Sequence, residues 1–283
     1  ACRELYEKGL PPSRPVWWQV IRLTCAGMLP QLRRGRRAAS DIFYAAYVWA
    51  LFCLLAPATW LATALLPRPA WGWIVSRRSA HLLIRLSGIP VVVRGLENLP
   101  CKAPYVLVAN HASYLDGIVL VAALPGRLSA TGHFSFVAKR ELLDSIISRI
   151  YLRHIGSNFI ERFEPERGVE ELKQLAISLK SGCCPIFFPE GTFTRIPGLL
   201  PFRMGAFVVA AEAGVPIVPV SIHGTRSILR ADHWFPRRGV ITITISKPNV
   251  PDGKDWAAAI RLRDAARAEM LRLCGEPDLA PRV

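Results

Sequence analysis

The chain has 283 residues, 51% of them hydrophobic, and carries 36 Lys and Arg against 21 Asp and Glu, a formal net charge of +15. This length suits one large α/β domain plus an appendage. The basic balance suits anionic partners such as a phospholipid surface or a phosphorylated substrate. Nucleic acid is disfavoured, because zinc-finger spacing and an RNP signature are both missing and the basic residues are scattered among apolar segments.

Residues 1–40 are basic and amphipathic and end in Arg33, Arg34, Arg36 and Arg37. The uncharged run from Ile42 to Pro67 follows, long enough to span a bilayer, although Pro57 cuts it into two pieces that are each too short. Trp71 and Trp73 add rings suited to a membrane interface, and basic residues flank both sides, so charge asymmetry does not set an orientation. The expectation is an apolar helical membrane anchor, a hairpin or re-entrant segment ahead of a single transmembrane span, with a cytoplasmic-facing catalytic part. The start at Ala1 raises the expectation of a fragment of a longer protein, and no stretch reads as a cleavable signal peptide.

From about residue 90 strands alternate with helices, an α/β pattern. Strands are expected at Val91–Arg94, Tyr105–Ala109, Ser135–Ala138, Asn158–Ile160, Pro185–Phe188, Ile217–Ile222 and Val240–Ser246. Glu166–Ser181 and Trp256–Leu273 read as amphipathic helices, the former through Val169, Leu172, Ala176 and Leu179. The stretch from Val215 to Pro219, twice interrupted by Pro, reads as an edge strand or wall, and the last eight residues as a loose tail. The expected division is 1–85 for the basic segment and anchor and 86–283 for the catalytic domain. The seven cysteines show no C-x-x-C pair and are expected reduced and mostly buried.

The chemistry-bearing residues sit at strand ends. His111 and Asp116 follow the Tyr105–Ala109 run at a spacing that can set a base against its orienting carboxylate. Alone, a His-x4-Asp pair is a weak motif. Pro185–Phe188 delivers Glu190, with Gly191 allowing close backbone approach and Thr192 offering a hydroxyl. Arg162 follows Asn158–Ile160, where a guanidinium can bind phosphate. The bland alternatives are a core histidine, a helix cap at Asp116, a turn-capping Glu190, and an Arg162 paired with Glu161 or Glu164. His81, His133, His154, His223 and His233 have no partner at metal-ligand spacing, so no metal is expected.

Asn110-His111-x4-Asp116, Gly156 to Arg162, Phe188 to Thr192 and Val215 to Pro219 come in the order of four motif blocks, and together they resemble the 1-acylglycerol-3-phosphate acyltransferase family over about residues 90–225. The stretches Ala138–Leu142 and Phe202–Phe207 are similar to intervening family elements and add Lys139 and Arg203. The resemblance implies a mixed, largely parallel sheet flanked by helices. It also implies acyl transfer from acyl-CoA or acyl carrier protein to a lysophospholipid, with no bound cofactor. His111 would be the general base, Asp116 its orienting partner, and Glu190, Gly191, Thr192, Arg162, Lys139, Arg195 and Arg203 the substrate-binding set. For Lys139, Arg195 and Arg203 a solvated or lipid-facing charge is the equal alternative. Two departures bear on the acceptor: Phe193 and Thr194 intervene before Arg195, where the family commonly has Arg directly after Thr, and Arg203 stands where Lys is common. Rival readings are the same chemistry on another acceptor, thioester hydrolysis by activated water, and a lipid-binding protein with a dead site.

Overall fold

The computed structural model describes residues 16–126, 133–160 and 175–280, with side chains from residue 37 onward. The chain divides into two compact units, Ala1–Ala46 and Tyr47–Val283. What is described of the first is helix, the beginning of α1 (Val16–Ala64). Within α1, Arg37–Ala64 is the one described helical stretch long and apolar enough to cross a membrane, with mean hydropathy 1.7.

α1 runs without a break through Pro57, so Pro57 does not split the apolar run as its sequence suggested. Proline removes only its own i to i−4 hydrogen bond, the helical ladder resumes beyond it, and two hydroxyls add bonds to its carbonyls. The Thr59 hydroxyl lies 2.7 Å from the Leu55 carbonyl, and the Thr63 hydroxyl 2.9 Å from the Thr59 carbonyl. In the second unit, the later part of α1 lies antiparallel to α2 (Pro69–Ser87). The Tyr47 hydroxyl donates to the Leu86 carbonyl, and the Thr59 hydroxyl approaches that of Ser79. These two segments form a helical hairpin.

A seven-stranded sheet follows: β1 (Val91–Arg94), β2 (Val106–Ala109), β3 (His133–Lys139), β4 (Asn158–Ile160), β5 (Cys183–Phe187), β6 (Ile217–His223) and β7 (Ile241–Ile245), in the order β1-β7-β6-β2-β5-β3-β4. The block β6, β2, β5, β3, β4 is parallel, and β7 pairs antiparallel with β6 while carrying β1 beside it. The sheet is thus mixed and largely parallel, as the resemblance implied. All four β2 residues are fully buried, with Val106 and Val108 facing one core and Leu107 and Ala109 the other. A strand covered on both faces reads as a continuous apolar run. One face is packed by α2 and by α3 (Asp116–Ala123), the other by α5 (Gly205–Ala213) and α7 (Trp256–Leu273). Between β3 and β4 lies α4 (Ile146–His154), and β6 leads into the short α6 (Thr225–Ile228).

Two expectations need correction. The proline-interrupted strand is central, because β6 lies between β7 and β2. Pro219 is tolerated there because it sits where the β6–β7 ladder slips register. Val220 pairs with Ile245 whereas Ile217 pairs with Asn249, and the Pro219 carbonyl still accepts from Ser246 N–H at 2.9 Å. Of the tail expected to be loose, Glu276–Ala280 is also held in place, while the last three residues lie outside the described residues. Leu199 N–H donates to the Pro277 carbonyl at 2.8 Å and Leu279 N–H to the Leu199 carbonyl at 3.1 Å. Of the helix expected over 166–181, residues 175–180 are helical, with Leu175 and Leu179 buried, while Val169 and Leu172 lie outside the described residues. Among the described cysteines Cys183, Cys184 and Cys274 are buried and Cys53 and Cys101 exposed, all free thiols.

Candidate active site

Parallel strands end together, so the carboxyl edge of the five-strand block collects the loops after β2, β3, β5 and β6. β2 is central and its loop carries His111. Asn110 ends the strand with its side chain acting as one more peptide. Its Nδ2 donates to the Ile222 carbonyl at 2.9 Å and its Oδ1 accepts from Ile222 N–H at 2.6 Å. The ladder with β6 therefore continues one residue further while the main chain turns away.

Asp116 opens α3, where a carboxylate is favoured by the helix dipole. It is fully buried, and its Oδ2 is the hub of the turn, accepting from Ala112 N–H at 2.6 Å and Ser113 N–H at 2.8 Å. The same oxygen lies 2.9 Å from His111 Nδ1. Since an ionised carboxylate only accepts, Nδ1 carries the proton and Nε2 is left as the free basic nitrogen. Asp116 Oδ1 is buried without a hydrogen-bond partner among the described residues. The imidazole stacks on Phe188, with centroids 4.2 Å apart, and meets the edge of Phe193 at 4.4 Å. Ser113 is fully buried and donates its hydroxyl to the Leu229 carbonyl, so it is turned away from nucleophilic work.

Glu190 touches the base's backbone rather than its ring. Its Oε1 accepts from His111 N–H at 2.6 Å and its Oε2 from Leu200 N–H at 2.8 Å, tying the β2 loop to the loop after β5. It is 5% exposed, and burial pushes its carboxyl up to about 7, against the pull of the His111 and Leu200 N–H groups and with a further push from the Asp116 charge. Burial raises the thiol of Cys274, which also feels the Glu190 charge, and makes it a poor nucleophile; Cys184, at the far end of β5, is raised to about 12.

The remaining expected residues scatter around this centre. Gly191 follows Glu190 and donates to the Phe188 carbonyl at 2.9 Å. Thr192 and Arg195 are exposed on the same loop, and Phe193 between them brings that loop against His111. Lys139 ends β3, exposed, at the same sheet edge. Arg203 is exposed, and its backbone N–H bonds the Pro189 carbonyl. Arg162 lies outside the described residues. Asn110 and Phe188 stood inside the motif blocks and Phe193 inside the departure from them, but their roles as strand mimic and as partners of the imidazole were not legible there; Arg226, whose Nη1 donates to the Thr194 carbonyl at 2.6 Å, carried no signal. The hydrogen-bond partners of Asn110 and Arg226 are 112 and 32 residues away in the chain.

Among the described residues no group of His, Cys, Asp and Glu is placed to hold a metal ion. The fold and its centre thus define an α/β protein with a carboxylate-oriented histidine at the mouth of a largely parallel sheet. Residues 90–223 match the family model described as Acyltransferase. Residues 90–223 of the chain thus form an acyltransferase-family domain. The chain is 38% identical over 192 residues to the 1-acyl-sn-glycerol-3-phosphate acyltransferase alpha of Homo sapiens, a match covering 68% of this chain and 66% of that one. It is 30% identical over 199 residues to the 1-acyl-sn-glycerol-3-phosphate acyltransferase of Saccharomyces cerevisiae, covering 68% of this chain and 63% of the relative. The match therefore spans just under two thirds of these relatives' lengths. The crystal structure of the 1-acyl-sn-glycerophosphate (LPA) acyltransferase PlsC from Thermotoga maritima superposes with a TM-score of 0.66 at 24% identity, covering 83% of this chain and 95% of that one. That likeness concerns the fold.

Proposed function

We propose that this chain transfers a fatty acyl group from an acyl thioester, acyl-CoA or acyl carrier protein, to the free hydroxyl of a lysophospholipid, 1-acyl-sn-glycerol-3-phosphate, giving phosphatidic acid. The observation that carries the reading is the 2.9 Å contact of His111 Nδ1 with Asp116, which leaves Nε2 as a base. Nε2 takes the hydroxyl proton as the acceptor oxygen attacks the thioester carbonyl carbon. The tetrahedral intermediate collapses with cleavage of the C–S bond, and the thiolate leaves with the proton returned by the imidazolium. No acyl-enzyme forms, consistent with the hidden Ser113 hydroxyl and the raised thiols. Thr192, Arg195, Arg203, Lys139 and Arg162 are the binding set for the acceptor head group, with Glu190 and Gly191 shaping the loop that bears Thr192 and Arg195. Residues 1–85 serve as a membrane-anchoring segment and 86–283 as the catalytic domain. Support for the anchor comes from the apolar stretch Arg37–Ala64, the α1–α2 hairpin and the guanidinium of Arg68 over the Trp71 ring.

The test is an acyl-transfer assay across phosphate-bearing, zwitterionic and neutral lysolipids with both donors. Phosphatidic acid is the expected product, and His111→Ala lowers turnover at least ~10²-fold while vesicle binding persists. Free fatty acid without acylated lipid makes the chain a thioester hydrolase instead. Full transfer by His111→Ala removes the base from the mechanism.

A further inference from the structure

The loop between β5 and α5 carries Glu190, Thr192, Phe193 and Arg195, and has no regular structure of its own over residues 191–198. Residues on such loops work only as well as a rigid scaffold holds them. The geometry points to Arg226 and the carboxyl-terminal segment Glu276–Leu279 as the positioning device for this loop, setting affinity for the acceptor; this rests on the acyl-transfer reading above.

Arg226 stands one residue inside α6, after β6. Its Nε donates to Glu276 Oε1 at 2.7 Å and its Nη1 to the Thr194 carbonyl at 2.6 Å. Both side chains of the ion pair are nearly buried, 11% and 12% exposed, where salt and water weaken a charge-assisted bond least. The guanidinium therefore fastens the loop backbone beside Phe193, whose ring lies on the imidazole. A second fastening is at Leu199. Its N–H and carbonyl pair with Pro277 and Leu279, and Arg267 reaches the same carbonyl at 3.0 Å and Asp278 at 2.5 Å. Gly198 lets the two segments close up, since a Cβ there would overlap the Leu279 side chain. The next residue, Leu200, donates to Glu190, the carboxylate that holds His111 N–H. Two short paths of hydrogen bonds and ring contact thus run from the carboxyl-terminal segment to the base, and Thr192 and Arg195 hang from the loop between them.

The loop that these bonds fasten carries Thr192 and Arg195 of the proposed acceptor-binding set, so its release should tell on the acceptor. The test is steady-state kinetics of the purified chain in detergent micelles, with 1-acyl-sn-glycerol-3-phosphate and acyl-CoA varied independently, for Arg226→Ala, Glu276→Ala and Glu276→Gln. The two alanine variants should raise the acceptor KM about tenfold, the scale of one lost charge-assisted hydrogen bond. Their kcat and donor KM should stay within about twofold, and the double variant should be no worse than either single one. Glu276→Gln, whose amide oxygen still accepts from Arg226, should recover the wild-type acceptor KM. Circular dichroism and melting identify a variant that has merely unfolded. If Arg226→Ala does so, Glu276→Ala and Glu276→Gln decide by the same criteria. An unchanged acceptor KM in folded variants, or donor and acceptor KM rising together, overturns the positioning role alone. Absence of transfer by the unaltered chain overturns the acyl-transfer reading and this inference with it.

Discussion

Replacing Glu190 by Gln separates the electrostatic burden of this buried carboxyl from its service to the loops. Burial is the main cause that raises it from 4.5 to about 7. A carboxyl raised on folding favours the folded state fully below 4.5 and loses that contribution as pH climbs through 7. With roughly 1.4 kcal/mol per pH unit, the loss between pH 5 and pH 8 comes to about 2–3 kcal/mol. The glutamine amide of the variant does not titrate, so the stability gap between variant and wild type should move in the variant's favour by about that amount over the same range. A fixed offset of about 1–3 kcal/mol accompanies it, because the amide offers one acceptor oxygen where His111 N–H and Leu200 N–H need two. The offset does not depend on pH, so the slope isolates the carboxyl. Unfolding of both proteins in the same micelles at pH 5, 6, 7 and 8 measures it. At pH 7 the variant should also turn over roughly tenfold more slowly, the cost of one unheld loop contact near the base. A stability gap that stays flat across these pH values refutes the account of Glu190 as a burial-penalised carboxyl.

Asp116→Asn keeps the shape but points an amide N–H₂ either at Ala112 and Ser113 N–H or into the pocket where Oδ1 has no partner among the described residues. Turnover should fall by about 10² or more, since a neutral amide either presents the wrong tautomer or no longer stabilises the imidazolium that forms, and a rate near wild type would remove Asp116 from the mechanism. Asn110→Asp exchanges the donor that meets the Ile222 carbonyl for a buried acceptor. The melting transition should report a loss of about 2–3 kcal/mol, and a smaller loss at acid pH, where the carboxyl can donate again, would identify the lost donor as the cause. Gly224→Ala forces a side chain onto a residue at φ 95°, where a Cβ would run into the Val240 carbonyl. At least about 2 kcal/mol of stability should be lost, and a neutral outcome would mean that the β6–α6 turn yields more than its packing suggests.

Local pattern carried most of the fold. Asn158–Ile160 and Trp256–Leu273 coincide with the observed elements, and no other strand end moves by more than two residues. Apolar runs between turn residues are short-range signals and survive without knowledge of partners. Failures came where a distant partner decides. Pro219 argued for an edge until the slip opposite Ile245 and Asn249 absorbed it, and Pro57 argued for a break where the helix runs on at the loss of one backbone bond. The described tail beyond Cys274 has little apolar periodicity, and distant partners, Leu199, Arg226 and Arg267, give it a place. In the site, His111 and Asp116 are five residues apart and their contact is nearly local, so spacing could suggest it. Glu190 was legible as a polar residue at a strand end, but its two N–H partners, ten and 79 residues away, were not.

The turn after β2 leaves a constraint on the electrophile. Consecutive amides of His111, Ala112 and Ser113 are all spent on carboxylates, the first on Glu190 and the other two on Asp116. A run of N–H groups beside a catalytic base would ordinarily be the first place to seek stabilisation of a tetrahedral oxyanion. Here those donors hold the base instead of the reacting carbonyl. If the proposed transfer holds, the negative charge that grows on the thioester oxygen is met by donors other than these three amides, so deprotonation of the acceptor and polarisation of the donor fall to different groups.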